Sequence, residues 1–293
     1  MAVEIVREML SRFEIKDPET AIKALKEVLQ EIILFSLYQG GFFEFAAFYG
    51  GTALRILHGL DRFSEDLDFS LLSSAVSIDL NSFGLTVEKS LRDFEVEASF
   101  EAKQKISIGG IASAQIKTEP LVGIFSLAVP QALSDVIKIL PKNKTIKIKL
   151  EVDTGKARNF KDKITYHLFP IAFPLRTMTL SCLFSGKMHA LLCRTWGTRV
   201  KGRDWYDCLW FVQKKAAINI PYLEDKLRHS GHWTASHSLR KEDVLELYVE
   251  RVLDLDVESA KSDLYPFIYD KRYVDNWDRP LFESIAEKFV FEE

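Results

Sequence analysis

The sequence is poor in features that would reveal a function at once. Its three cysteines, Cys182, Cys193 and Cys208, are odd in number and form no C-x-x-C pair. That excludes a disulfide framework and points to a reducing, intracellular setting. The six histidines (His58, His167, His189, His229, His232 and His237) show neither H-E-x-x-H nor Cys/His ligand spacing, so zinc is not expected. Glycine and proline number 14 and 9, too few for a collagenous or linker-dominated chain. Positive charge is not in excess: 39 Lys and Arg against 42 Asp and Glu leave a net charge of −3. A globally basic nucleic-acid binder is thereby excluded, while a local basic surface is not. The most apolar stretch, 32–49, is broken by Gln39, Gly40, Gly41 and Glu44, so no membrane span and no membrane partner is expected. The opening MAVEIVREML carries early acids and no apolar core, so a signal peptide is not expected either. A cytoplasmic location is the resulting expectation.

What is present is an ordinary globular balance, 47% hydrophobic and 28% charged in 293 residues, enough for one large domain or two modest ones. Asp17-Pro18 reads as a helix start, and Ile22, Leu25, Leu29 and Ile32 recur as one buried stripe until Gly40-Gly41. Phe43 to Tyr49 reads as a strand, Thr52 to His58 as a helix and Leu67 to Leu72 as a strand. Phe94 to Lys103 alternates apolar with polar residues, Gly109-Gly110 signals a turn, and Ile111 to Thr118 is the partner strand. In Thr145 to Asp153, Ile146, Ile148, Leu150 and Val152 face one way and Lys147, Lys149, Glu151 and Asp153 the other. Beyond Pro174 the pattern is helical, over Leu180–Arg194, Asp204–Lys214 and Lys241–Leu255. The expected fold class is α+β, with a helical lead over 1–40, a mixed α/β core over 41–172 and a helical C-terminal domain over 173–293.

The chemistry-bearing stretch begins at Gly50-Gly51-Thr52 and continues through Arg62, Ser64, Asp66 and Asp68. A double glycine lets backbone approach an anion closely, and amides at the start of the following helix favour negative charge. Asp66 and Asp68 stand at i and i+2 on a strand, so both carboxylates project to one side, and carboxylate oxygen is what hard cations prefer. A phosphate cradle beside a carboxylate pair suits a nucleoside triphosphate with magnesium. Either half alone is common and reads more simply as a bend or a turn cap. Lys187 lies in the middle of the apolar stripe Leu180, Leu183, Phe184 and Leu191. A buried ammonium needs a partner, which a triphosphate would supply, unless the side chain snorkels to water. Glu151 and Asp153 share the polar face of their strand, which also reads as a solvated Lys/Glu face. Five Lys and Arg with no acid over 187–203, and nine against three acids over 138–163, suit an anionic partner.

The run GGTALRILHGLDRFSEDLDFSL resembles the AbiEii/AbiGii-type toxin family, a branch of the DNA polymerase β-like nucleotidyltransferases, whose G-[GS]-[ST] motif precedes a D-x-D. Thirteen residues separate Thr52 from Asp66. Lys187-Met-His-Ala-Leu-Leu-Cys-Arg194 resembles the family's K-x-x-A-L-x-x-R, and Lys201-Gly-Arg-Asp204-Trp-Tyr-Asp207 its K-x-[RK]-D-x-Y-D-L, with Cys208 standing before the Leu. The resemblance implies a nucleotidyltransferase core with a mixed β-sheet flanked by helices. It implies Mg2+-dependent transfer of a nucleotidyl group from an NTP. The implied catalytic residues are Asp66, Asp68, Lys187 and Asp204. Nucleotide contacts fall to Gly50, Gly51, Thr52, Arg62, Ser64 and Lys187, and metal ligation to Asp66, Asp68 and Glu151, with Asp153 as the alternative. Asp204 is a functional acid that orients Lys187 or helps position the nucleotide, a helix cap, or both at once, and Asp207 is the alternative acid. The resemblance also implies an RNA acceptor, a tRNA 3′ end among them, a cognate antitoxin, and a toxin of a toxin–antitoxin or abortive-infection system. A small-molecule or protein acceptor, and a non-catalytic nucleotide- or partner-binding module, stand as the competing readings.

Overall fold

A computed structural model of the chain describes residues 2–73, 78–103, 110–119, 145–155, 159–194 and 200–293. Gly109, Arg199, the basic residues of 138–144 and those of 156–158 lie outside the described residues. The chain forms two compact units. One comprises 1–57, 64–155 and 164–177; the other comprises 58–63, 156–163 and 178–293.

The first unit opens with α1 (Ala2–Ser11) and α2 (Pro18–Gln39). Asp17 caps α2 by accepting from the Thr20 amide, and the Thr20 hydroxyl returns to the Asp17 amide, satisfying two orphan donors at once. α2 ends at Gly40, and Gly41 takes the left-handed conformation at φ +74°. The chain then makes a short 3-10 turn over Phe42–Glu44, so the expected strand over Phe43–Tyr49 is confined to β1, Ala46–Tyr49. α3 (Gly50–His58) follows at once, then β2 (Leu67–Leu71). α4 (Asn81–Asp93) was not evident in the sequence, and it shortens the strand expected from Phe94. Phe94 ends that helix and Glu95 turns the chain at φ +60° with the Val96 amide on the Leu91 carbonyl, so β3 covers only Ala98–Ala102. β4 (Ile111–Thr118), β5 (Lys147–Asp153), β6 (Asp162–His167) and β7 (Phe173–Met178) complete a seven-stranded sheet in the order β3-β4-β5-β2-β1-β7-β6.

Register settles which side chains share a face. β1 and β2 are antiparallel, with Tyr49 opposite Asp68; β2 and β5 are parallel, with Asp68 opposite Glu151; β5 and β4 are antiparallel, with Glu151 opposite Ser113. Ile148, Leu150 and Val152 are buried with Val28, Ile32 and Phe69 in one hydrophobic core. Lys147, Lys149 and Glu151 therefore stand on the other side of β5.

The second unit is mainly helical: α5 (Leu180–Cys193), α6 (Gly202–Gln213), α7 (Ile220–His229), α8 (Lys241–Leu253), α9 (Val257–Leu264) and α10 (Arg279–Ile285). A parallel pair, β8 (Ala217–Asn219) and β9 (Val290–Glu292), ties residues near the C-terminus to the segment between α6 and α7. Phe184 stacks on Phe211 at 4.4 Å, and Trp205 meets the edge of Phe282 at 5.0 Å, which locks α5, α6 and α10 by aromatic packing. α6 begins hard against α9: a Cβ on Gly202 would lie 1.8 Å from the Ala260 carbonyl oxygen, so only glycine fits. Cys182 and Cys208 are buried, consistent with packing rather than nucleophilic chemistry.

Candidate active site

In the sheet unit, the turn from β1 into α3 is built around β2. Gly50 follows Tyr49, the register partner of Asp68, and takes φ +84°. A Cβ at Gly50 would fall 2.3 Å from Asp68 Oδ2 and 3.0 Å from Asp68 Cβ. Glycine is thus demanded twice, by the left-handed backbone and by the carboxylate pressed against it. Two residues on, the buried Thr52 donates its hydroxyl to the Asp66 carbonyl at 2.5 Å. The glycine corner is therefore fastened to both aspartates of the D-x-D pair, through backbone at Asp66 and by close contact at Asp68. Thr52 lies inside α3 rather than opening it, because the helix starts at Gly50.

Glu151 stands opposite Asp68 in the β2–β5 ladder. Asp153 pairs in register with Ser70, one row further on, and its Oδ1 accepts from the Gly155 amide at 2.7 Å, the geometry of a turn-forming aspartate. Asp68 and Glu151 are half-buried and Asp66 is exposed. The Asp66 carboxyl nevertheless sits above its ordinary range: partial desolvation raises it and Glu65 and Glu151 add to this, while Lys26 and Lys149 oppose it. Lys149, two residues from Glu151 on the same strand face, holds that carboxylate at 2.5 Å. Its ammonium is strengthened by the hydrogen bond to Glu151, and the charges of Glu151, Asp66 and Asp68 all act on it. The sequence pattern alone did not single out Lys149, although its place on the Glu151 face was readable. Ser64 presents its carbonyl to Gln30 at 3.4 Å.

Among the described residues no three acid, His or Cys side chains are gathered tightly enough to grip an ion as they stand. The donor set suits a hard divalent cation all the same: three carboxylates, with a glycine leaving backbone room beside one of them.

In the helical unit a second charged cluster surrounds Asp207. Arg62 donates through Nε and Nη2 to the two oxygens of Asp207 at 2.6 and 2.7 Å, and through Nη1 to the Phe63 carbonyl at 2.9 Å. The Arg62 side chain is 2% exposed and that of Asp207 is wholly buried. Lys187 Nζ lies 2.7 Å from Asp207 Oδ2 and 3.8 Å from Asp204 Oδ1, and Arg194 reaches Asp204 at 3.2 Å. Burial alone would raise the Asp207 carboxyl, yet the charges of Arg62 and Lys187 hold it below the ordinary carboxylate range. The partner that a lysine in an apolar stripe requires is thus first of all Asp207. Arg62, expected at the nucleotide, instead spends all three of these donors inside the unit, because a buried guanidinium must be fully paired. Asp204 is not the helix cap considered from the sequence. Lys201 occupies that position, and Asp204 lies in the first turn of α6.

Among solved structures, the fold is similar to MenT4, a nucleotidyltransferase toxin from Mycobacterium tuberculosis H37Rv. The TM-score is 0.58 at 18% identity, over 97% of this chain and 88% of that one. It is also similar to JHP933 from Helicobacter pylori, with a TM-score of 0.50 at 16% identity over 90% of each chain. No curated protein matches the chain. The family model for the AbiEii nucleotidyl transferase toxins of type IV toxin–antitoxin systems matches residues 32–287, a span that includes the glycine corner, all three carboxylates and the Asp207 cluster. Membership carries with it an NTP substrate and a cognate antitoxin. The chain belongs to the AbiEii family and is a nucleotidyltransferase toxin of the type IV toxin–antitoxin class.

Proposed function

We propose that the protein transfers a nucleotidyl group from an NTP to RNA in a Mg2+-dependent reaction, with a tRNA 3′ end as acceptor, and that this arrests growth. The observation that carries the reading is the Gly50 corner pressed against Asp68, with Glu151 in register across β5. Asp66, Asp68 and Glu151 would hold Mg2+, which when bound neutralises phosphate charge and makes the acceptor hydroxyl more acidic. The backbone at Gly50 and Gly51 would approach the phosphates closely, with Thr52 fixing that corner to the Asp66 strand end. The acceptor hydroxyl oxygen forms a bond to the α-phosphorus, the α–β bridging bond breaks, pyrophosphate leaves, and the hydroxyl proton passes to one of the carboxylates. On the family resemblance Lys187 serves the nucleotide phosphates; Asp207 and Asp204 fix the position of its ammonium.

RNA is favoured as acceptor by the lysines that accompany the acids on β5, Lys147 and Lys149, in a chain that is acidic as a whole. The test is incubation of purified protein with α-labelled NTPs, Mg2+ and total RNA. Label is expected in an RNA band, lost on chelation and absent with Asp68→Ala. Label appearing only on protein or on a small molecule would reject the acceptor, and label unaffected by Asp68→Ala would reject the site.

A further inference from the structure

The core-facing side of α2 is buried, and at its edge Lys23 and Lys26 are only 21% and 19% exposed. Their stems pack while their ammonium groups reach outward. They line a cavity of about 610 Å³ together with Glu19, Glu65, Thr145 and Lys147. That volume is in the range of small-ligand sites. The cavity belongs wholly to the sheet unit and adjoins the candidate site. Glu65 on its wall precedes Asp66, and the charge of Lys26 acts on the Asp66 carboxyl.

Its cations can be reassigned to a ligand. Lys23 pairs with Glu19 at 2.6 Å and Lys26 with Glu65 at 3.4 Å, but those carboxylates are 70% and 48% exposed. Pairs whose acid is this exposed are weak and readily exchanged, although Lys23 and Glu65 each make a further contact. Lys147 begins β5 on its solvent face, in register with Lys117 of β4 and two residues before Lys149. Neither Lys117 nor Lys147 pairs with a carboxylate among the described residues. Cations therefore run from α2 across the cavity and along β5 toward Glu151, with successive same-face positions ~7 Å apart. A compact triphosphate has no use for such a track, whereas a chain of phosphates does.

The geometry points to this cavity as a phosphate-binding groove for the acceptor nucleic acid, in which Lys23, Lys26 and Lys147 hold backbone phosphates while the strand end lies at the carboxylates. This rests on RNA being the acceptor. None of the three lysines belongs to the sequence motifs of the nucleotidyltransferase site.

The experiment compares wild type with Lys23→Ala/Lys26→Ala/Lys147→Ala and with the corresponding triple arginine variant. Fluorescence anisotropy follows labelled unfractionated tRNA over a salt series, and a fluorescent NTP is titrated separately. The alanine variant is expected to bind tRNA at least ~10-fold more weakly, with a log–log salt slope shallower by about 2, as three lost phosphate contacts require. The arginine variant should stay within about twofold of wild type, because it keeps the charge, and the alanine variant should keep the wild-type melting temperature and NTP affinity, which a merely structural role for the lysine stems would not allow. An alanine variant with wild-type Kd and salt slope for tRNA, or one that loses NTP binding alone, overturns the groove. If wild type labels RNA while the alanine variant keeps the same KM for it, the groove alone falls. If wild type neither binds nor labels RNA, the acceptor reading falls with it.

Discussion

Each unit of this molecule holds a cluster of carboxylates and cations, and the two are built to opposite ends. Around Asp207 the charges are closed on one another: a wholly buried carboxylate receives two guanidinium bonds from Arg62 and an ammonium from Lys187, and its pKa is held down. On the sheet, Asp66, Asp68 and Glu151 stand near one another with the partly exposed Lys149 beside Glu151, and the Asp66 carboxyl is pushed up. A closed cluster has its electrostatics satisfied and acts as an anchor. An open one keeps its carboxylates partly exposed, within reach of a cation from solution. The same residue types are thus closed on one another in one place and left partly exposed in the other, and burial separates the two.

Substitutions in each cluster put this contrast to the test. The largest expected effect on folding is at the closed cluster. Asp207→Ala strands the Arg62 guanidinium in a buried site and should cost about 3–5 kcal/mol in a denaturant titration, with activity lost along with the fold. At the open cluster, Gly50→Ala should cost less stability, about 1–2 kcal/mol for the left-handed backbone, yet lower transfer at least ~100-fold by displacing the Asp68 carboxylate. That split is read by comparing chemical denaturation with RNA labelling on one preparation. An intact transfer rate in the alanine variant would show that the close contact at Asp68 is incidental.

The smallest effect is one of pH. His58 and His189, both in the helical unit, have pKa values lowered to about 4, chiefly by burial, with Lys163 and Lys226 adding to it. Their folded-state pKa lies below the unfolded value of 6.5, so the unfolded chain binds more protons between the two. Stability is then complete above pH 6.5 and declines as pH falls toward 4, by about 1–2 kcal/mol per ring once solvent screening is allowed for. Thermal melts across that window should show the decline, and His189→Gln should flatten part of it.

What could be read from the sequence was what is local. Asp17 with Pro18 gave the start of α2, the alternation of Thr145 to Asp153 gave β5, and the periodicity from Leu180 gave α5, because each signal repeats within one element. Gly50-Gly51-Thr52 and the D-x-D were visible as chemistry for the same reason. What depended on pairing was not visible. Whether Glu151 or Asp153 faces Asp68 is a matter of register between strands more than 70 residues apart. Arg62 and Asp207 are 145 positions apart, so nothing local marked Arg62 as an anchor rather than a ligand contact. α4 carries Gly84 and a polar run that weaken its helical signature, and Glu95 in the left-handed region ends it without a glycine.

If the carboxylates on the sheet perform the transfer, Asp68→Ala must slow α-labelled NTP transfer to RNA relative to wild type at matched folded fraction. A rate lower by at least ~1,000-fold, about 4 kcal/mol of transition-state stabilisation, with an unchanged melting temperature is the expected result. A rate within about tenfold of wild type would contradict it and leave the sheet acids without a catalytic part.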